Sequence, residues 1–188
     1  MTTTKQYLSN ILKELEWATS LICEEDADKL LKAILNAKKV LVAGAGRTGF
    51  MGKSFCMRMM HMGIDAYVTG ETVTANFEKD DVLIVGSGSG ETKSLVSMAE
   101  KARSIGGTVV AITINPESTI GKLANFAIKI PGASKDRSGL NEAYQTIQPM
   151  GSLFEQTLLM FYDAMILRFM DEKLLDSGKM YGRHANLE

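Results

Sequence analysis

The chain has 188 residues, 45% of them hydrophobic, and its 21 Lys and Arg nearly balance 22 Asp and Glu. That length suits one α/β domain and is short for two, while the near-zero charge supplies no global field to draw nucleic acid or an anionic membrane. An anionic ligand must therefore be recognised locally.

From Tyr7 the apolar residues Leu8, Ile11, Leu12, Leu15, Ala18, Leu21 and Ile22 recur at three- and four-residue spacing, which predicts an amphipathic helix. A second helix is expected over Glu24 to Asn36, opening with Glu24, Glu25 and Asp26 where acidic groups suit the helix dipole. The N-terminus carries no cationic run leading into an apolar one, so no export signal is expected. A short strand, Lys39 to Ala43, leads into Gly44-Ala45-Gly46-Arg47-Thr48-Gly49, and Phe50 to Met62 reads as a methionine-rich helix. Its methionines, Met51, Met57, Met59, Met60 and Met62, fit gap-filling core and interface positions better than metal ligands. His61 among them reads as a structural histidine. Cys23 and Cys56 form no C-x-x-C pair, which fits reduced, mostly buried thiols of a cytoplasmic protein and argues against a disulfide framework or structural zinc.

The strand Ala66 to Val68 ends at Thr69 to Thr72, and the continuous apolar run Val82 to Val85 ends at Gly86-Ser87-Gly88-Ser89-Gly90-Glu91-Thr92. Helix Thr92 to Ser104, strand Thr108 to Ile114, a short helix from Ser118 and strand Phe126 to Ile130 follow. Five strands separated by helices imply a parallel sheet covered on both faces. The polar stretch Pro131 to Pro149 is a lid candidate. Ser152 to Met170 is a long apolar helix. It carries Glu155, Asp163 and Arg168, so no membrane span is expected.

The loop Gly86 to Thr92 joins a buried strand to a helix, a junction that favours anions. Glycines admit a ligand to the backbone, first-turn N–H groups lack intrahelical partners, and the dipole attracts negative charge. Ser87, Ser89 and Thr92 add three hydroxyls, which suits a phosphate monoester; the plainer alternative is that Ser89 caps the helix. In a doubly wound sheet of order 2-1-3-4-5, this loop and Gly44 to Gly49 face one another across the switch-point crevice. Gly44, Gly46 and Gly49 also fit the dinucleotide pattern G-x-G-x-x-G, with Glu71 near the end of the second strand. A hydroxyl-rich cradle after the third strand argues against that reading, and Arg47 suits a charged or polyhydroxylated ligand.

With these loops identified, the chain resembles the sugar isomerase (SIS) domain proteins and, within them, the 6-phospho-3-hexuloisomerases, over nearly its full length. The segments that carry the resemblance are Ala43 to Gly49, Arg58-Met59-Met60-His61-Met62-Gly63, Gly86 to Lys93, Gln148 to Glu155 and His184 to Glu188. The resemblance implies a three-layer, doubly wound SIS fold of one domain over 1–188, with an N-terminal helical pair (about 4–36) and a C-terminal helix and tail (about 150–188) packed on it or on neighbouring subunits. It implies a cytoplasmic homotetramer that isomerises a phosphorylated hexulose without a cofactor or metal, in the ribulose monophosphate pathway of formaldehyde fixation. Ser87, Gly88, Ser89, Gly90, Glu91 and Thr92 would bind the phosphate, Glu91 through its N–H more than its charge, and Arg47 the sugar or a developing enediolate oxygen.

Glu155, at the start of an apolar helix, would be the base. On the residues alone it reads equally as a first-turn acid complementing the dipole. His184 would shuttle a proton, docked in its own or a neighbouring subunit. A non-catalytic sugar-phosphate module and, further off, a dinucleotide enzyme are the competing functions.

Overall fold

The computed structural model describes residues 2–132, 146–184 and 186–187. Strands β1 (Val40–Gly44), β2 (Ala66–Val68), β3 (Val82–Gly86), β4 (Thr108–Thr113) and β5 (Phe126–Lys129) form one parallel sheet in the order β2-β1-β3-β4-β5. This is the doubly wound order expected from the two glycine-rich turns. The helices are α1 (Thr4–Ser20), α2 (Glu24–Asn36), α3 (Gly46–His61), α4 (Lys93–Ile105), α5 (Thr119–Leu123), α6 (Ser152–Glu172) and α7 (Ser177–Tyr181).

Alternate strand residues serve opposite cores, as the two-residue period of a strand requires. Val40, Val42, Val82, Ile84, Val110 and Ile112 join a core built with α2, α3 and α6. Leu41, Ala43, Leu83, Val85, Val109 and Ala111 join a second, covered by α4 and α5. Burial on both faces is why these strands are unbroken apolar runs in the sequence.

Helix α1 begins before Tyr7, because Thr3 and Gln6 form a reciprocal capping box. Its Leu15 and Ala18 pack against Leu153 of α6. Tyr7, Leu8, Leu12 and Leu21, four of the residues of the predicted pattern, are exposed. At the other end of α6, Arg168 pairs with Glu24 at 2.9 Å and with Asp28 at 2.5 Å, tying the helix to α2.

Two expectations change. Cys23 is exposed, because it precedes α2 while Ala27, Leu30, Leu31 and Ile34 supply the buried face. Cys56 is buried as expected, and burial pushes its thiol up to about 11, out of the reactive range. The tail contains an additional short helix, α7, whose first turn is capped by Asp176 accepting from the Lys179 N–H at 2.8 Å. Of the expected lid, Pro131 to Pro149, residues 133–145 lie outside the described residues. No helix among the described residues is long and apolar enough to cross a membrane.

Candidate active site

Gly44 and Gly86 are register partners at the carboxyl ends of β1 and β3. From there the chain passes to α3, on one face of the sheet, and to α4, on the other. The gap between the two connections is the crevice of a doubly wound sheet. The first connection is tighter than a loop, since α3 already starts at Gly46. Gly44 and Gly49 make that possible: a Cβ on Gly49 would lie 2.7 Å from the Gly44 carbonyl oxygen, and a Cβ on Gly44 2.9 Å from the Gly49 Cα. A cavity of about 330 Å³ occupies the crevice, lined by Gly46, Thr48, Ser87, Ser89 and Thr92 from the two connections and by Gly151, Phe154 and Glu155 from the start of α6. Its size falls in the range of small-molecule sites.

The N-cap of α4 is Thr92, whose side chain makes no capping bond, so the hydroxyl and the first-turn N–H groups are not consumed by one another. Ser89 does not cap the helix. Its Oγ accepts from the Glu91 N–H at 3.2 Å, and Ser87 Oγ accepts from the Gly90 N–H at 3.2 Å. Both hydroxyls thus keep an O–H to donate to a ligand oxygen. The Glu91 N–H, expected to face a ligand, is engaged by Ser89 instead. The Glu91 carboxylate turns towards α5, accepting from Thr119 Oγ1 at 2.7 Å and from the Thr119 N–H at 2.8 Å. These two bonds, the hydroxyl's first, hold its carboxyl below the usual range. Its charge is spent on a helix start and not on the cavity. Gly90 adopts φ +67, and a Cβ there would lie 1.9 Å from Ser118 Oγ, so the turn admits glycine alone.

Glu155 lies in the first turn of α6, only 4% exposed, and contributes to the cavity wall. Arg47, in the first turn of α3, donates from Nη1 to Glu155 Oε2 at 3.2 Å and to Ser152 Oγ at 2.8 Å. The guanidinium is half exposed and the carboxylate buried, so the pair presents a cation at the mouth and an acid within. Ser152, Thr48, Gly151 and Phe154 carried no assigned role in the sequence. Ser152 lies inside the stretch Gln148 to Glu155, but nothing local reveals a bond to Arg47 more than a hundred residues away.

His184 is elsewhere. Its ring stacks on that of His61 at 5.3 Å and on Tyr181 at 5.9 Å, and Arg183 packs against Gly63. This is the far end of α3 from Gly46, about 22 Å along the helix axis. Within one chain Glu155 and His184 do not meet, because α7 folds the tail back onto the amino-terminal edge of the sheet. Glu71 pairs with Lys53 at 2.5 Å, half exposed, outside the cavity lining.

His61 is 4% exposed, and burial, then Arg58, then His184 depress its proton affinity below the ordinary value near 6.5. A neutral His61 is thus favoured while the tail is docked on it. Its stabilisation is complete above that ordinary value and is lost as the pH falls through the lowered one. Expected on acidification below about pH 6.5 is loosening of residues 177–184, read from the His61 and His184 ring signals in an NMR titration. His61→Phe, which keeps a ring without a titrating group, should remove the pH dependence; a transition unchanged in that variant would assign it to another group.

Comparison with known proteins places these features in a family. The SIS domain model matches residues 33–160. A Bacillus subtilis protein named 3-hexulose-6-phosphate isomerase is 55% identical over 98% of this chain and 99% of its own. A Methanocaldococcus jannaschii protein of the same name is 38% identical over 95% and 93%. A crystal structure of a Methanococcus jannaschii protein, whose inferred molecular function is 3-hexulose-6-phosphate isomerase, superposes with a TM-score of 0.81 at 32% identity, covering 97% of this chain and 99% of that one.

Proposed function

The chain belongs to the SIS domain family, and from that membership and its crevice we propose that it is a 3-hexulose-6-phosphate isomerase, interconverting D-arabino-3-hexulose 6-phosphate and fructose 6-phosphate. The observation that carries the reading is a buried carboxylate, Glu155, and a hydroxyl-rich helix start, Ser87 to Thr92, on two walls of one cavity. Moving a carbonyl from C3 to C2 requires removal of the C2 proton, a cis-enediolate, and return of a proton to C3. One base on one face of the sugar serves both carbon steps.

In this reading the phosphate rests at the start of α4. It receives O–H donors from Ser87, Ser89 and Thr92 and the first-turn N–H groups, with Gly88 and Gly90 leaving the backbone accessible. Glu91 shapes the loop through its backbone and its tie to Thr119. Glu155 removes the proton from C2 and delivers it to C3, while Arg47 supports the oxygen on which negative charge develops. The remaining proton has to pass from the C2 oxygen to the C3 oxygen. We assign this to His184 of a neighbouring copy, since the tail holds that exposed imidazole in a fixed place at the opposite end of α3. Each copy would then both receive and donate a tail, which requires a homo-oligomer, read here as a tetramer. On this reading the activity serves formaldehyde fixation by the ribulose monophosphate pathway, in the cytoplasm.

The test is formation of fructose 6-phosphate from 3-hexulose 6-phosphate by the purified protein. Absence of turnover would remove the isomerase reading and leave a sugar-phosphate-binding module. In the same assay Ser89→Ala with Thr92→Ala should raise KM by roughly tenfold or more, since each hydroxyl bonds a charged group. A KM unchanged by both substitutions would remove the phosphate from this loop.

A further inference from the structure

Glu14 lies on α1, outside the residues 33–160 that the SIS domain model matches. Its carboxylate accepts from the Ile147 N–H at 2.9 Å, from Gln148 Nε2 at 2.8 Å and from the Thr146 hydroxyl. Thr146 Oγ1 in turn accepts from the Gln148 N–H at 3.0 Å. Gln148 is 4% exposed, and its Oε1 accepts from Gln156 Nε2 of α6, one residue beyond Glu155. Burial alone would raise the Glu14 proton affinity. The bonds from Thr146, Gln148 and Ile147 together outweigh it and hold the carboxyl below its usual range, so Glu14 is a charged acceptor here.

What this clamp holds is the turn that aims the catalytic helix. Between Gln148 and Ser152 the chain passes through Met150 at φ +57, a left-handed conformation that a side-chain-bearing residue adopts only when its surroundings impose it. The Ser152 N–H closes the turn on the Pro149 carbonyl at 3.1 Å. Immediately after it come Ser152, which meets Arg47, and Glu155, which lines the cavity. Leu15 of α1 packs on Leu153 between them, so one helix bears on the turn through a carboxylate and on the first turn of α6 through an apolar contact.

We propose that Glu14 is a positioning residue: by fixing residues 146–151 it sets the register in which Ser152 and Glu155 face the crevice. The catalytic half of this inference rests on the reading of Glu155 as the base. The phosphate loop belongs to β3 and α4, which Glu14 does not touch, so its loss should separate turnover from binding.

The test is kcat, KM, thermal stability and backbone hydrogen exchange of wild type, Glu14→Ala and Glu14→Ala/Met150→Gly in the full chain. Expected for Glu14→Ala is a fall in kcat of roughly ten- to a hundredfold, the scale of a misplaced reacting group, with KM within about twofold and faster exchange over residues 147–156. Met150→Gly removes the penalty of the left-handed turn, so the double variant should recover most of kcat without recovering the melting temperature. A merely structural Glu14 would show the reverse. Glu14→Gln, which keeps an acceptor oxygen and the side-chain volume, should lie between and serves if the alanine variant does not fold. A kcat within twofold of wild type, or a loss that Met150→Gly leaves unrepaired, overturns the proposal. If wild type does not isomerise, exchange decides alone: acceleration over 147–156 upholds the clamp while the base reading falls, and unchanged exchange overturns the clamp.

Discussion

Glu155→Gln is expected to lower kcat by about a thousandfold and to leave fructose 6-phosphate binding within a few-fold of wild type. The proton to be moved is on carbon, so no rearrangement of hydrogen bonds substitutes for a base; the amide has the carboxylate's shape without its basicity. The surroundings favour a clean subtraction. Arg47 Nη1, 3.2 Å from Oε2, can bond the amide oxygen as it bonds the carboxylate. Ser152, which also receives Arg47, is untouched. Binding should survive because the donors assigned to the phosphate lie on the β3–α4 connection, a separate element from α6. The measurement is turnover together with direct titration of fructose 6-phosphate and washout of deuterium placed at C2 into solvent. Loss of washout with retained binding identifies an enzyme whose base has been removed. Turnover within tenfold of wild type would strip Glu155 of the role and return it to a helix-start acid.

Local chemistry made much of this fold readable. Runs such as Val82 to Val85 are apolar at every position because β3 is covered on both faces, and the two glycine-rich turns mark the adjacent strands where the order reverses. The loop Ser87 to Thr92 was readable for the same reason, since its strand, hydroxyls and helix are contiguous. Contacts between distant segments were not. Arg47 reaches Ser152 and Glu155 across more than a hundred residues, and neither end announces the other. Glu14 left a trace: it falls three residues after Ile11 on the inward side of α1, a charge in an apolar stripe, and that placement signals a buried partner. The tail was the least legible. His184 follows a segment too short and too polar to advertise α7, so its docking on His61 appears only in three dimensions.

That docking yields the second large effect. If His184 completes a neighbouring copy's crevice, Glu155→Gln and His184→Ala should each be nearly inactive alone, the latter by about a hundredfold in kcat, and should complement one another when assembled together. In an oligomer mixed at random in equal amounts, a site needs an intact Glu155 from one subunit and an intact His184 from another. Each is present half the time, so about a quarter of the sites, and about a quarter of wild-type activity, should return. A site drawing both residues from the same chain gives no recovery, since every chain in the mixture lacks one of them. The separation of about 22 Å along α3 makes the same-chain alternative demand that the tail, with its stacked Tyr181 and His184, leave His61. Co-expression of the two variants with different affinity tags, purification through both, and native mass spectrometry of the product ensure that mixed oligomers are what is assayed. Activity that stays at the level of the separate variants in such oligomers would remove His184 from the neighbouring site. The tail would then serve only to close the base of the sheet, and the proton between the two oxygens of the enediolate would pass through another group.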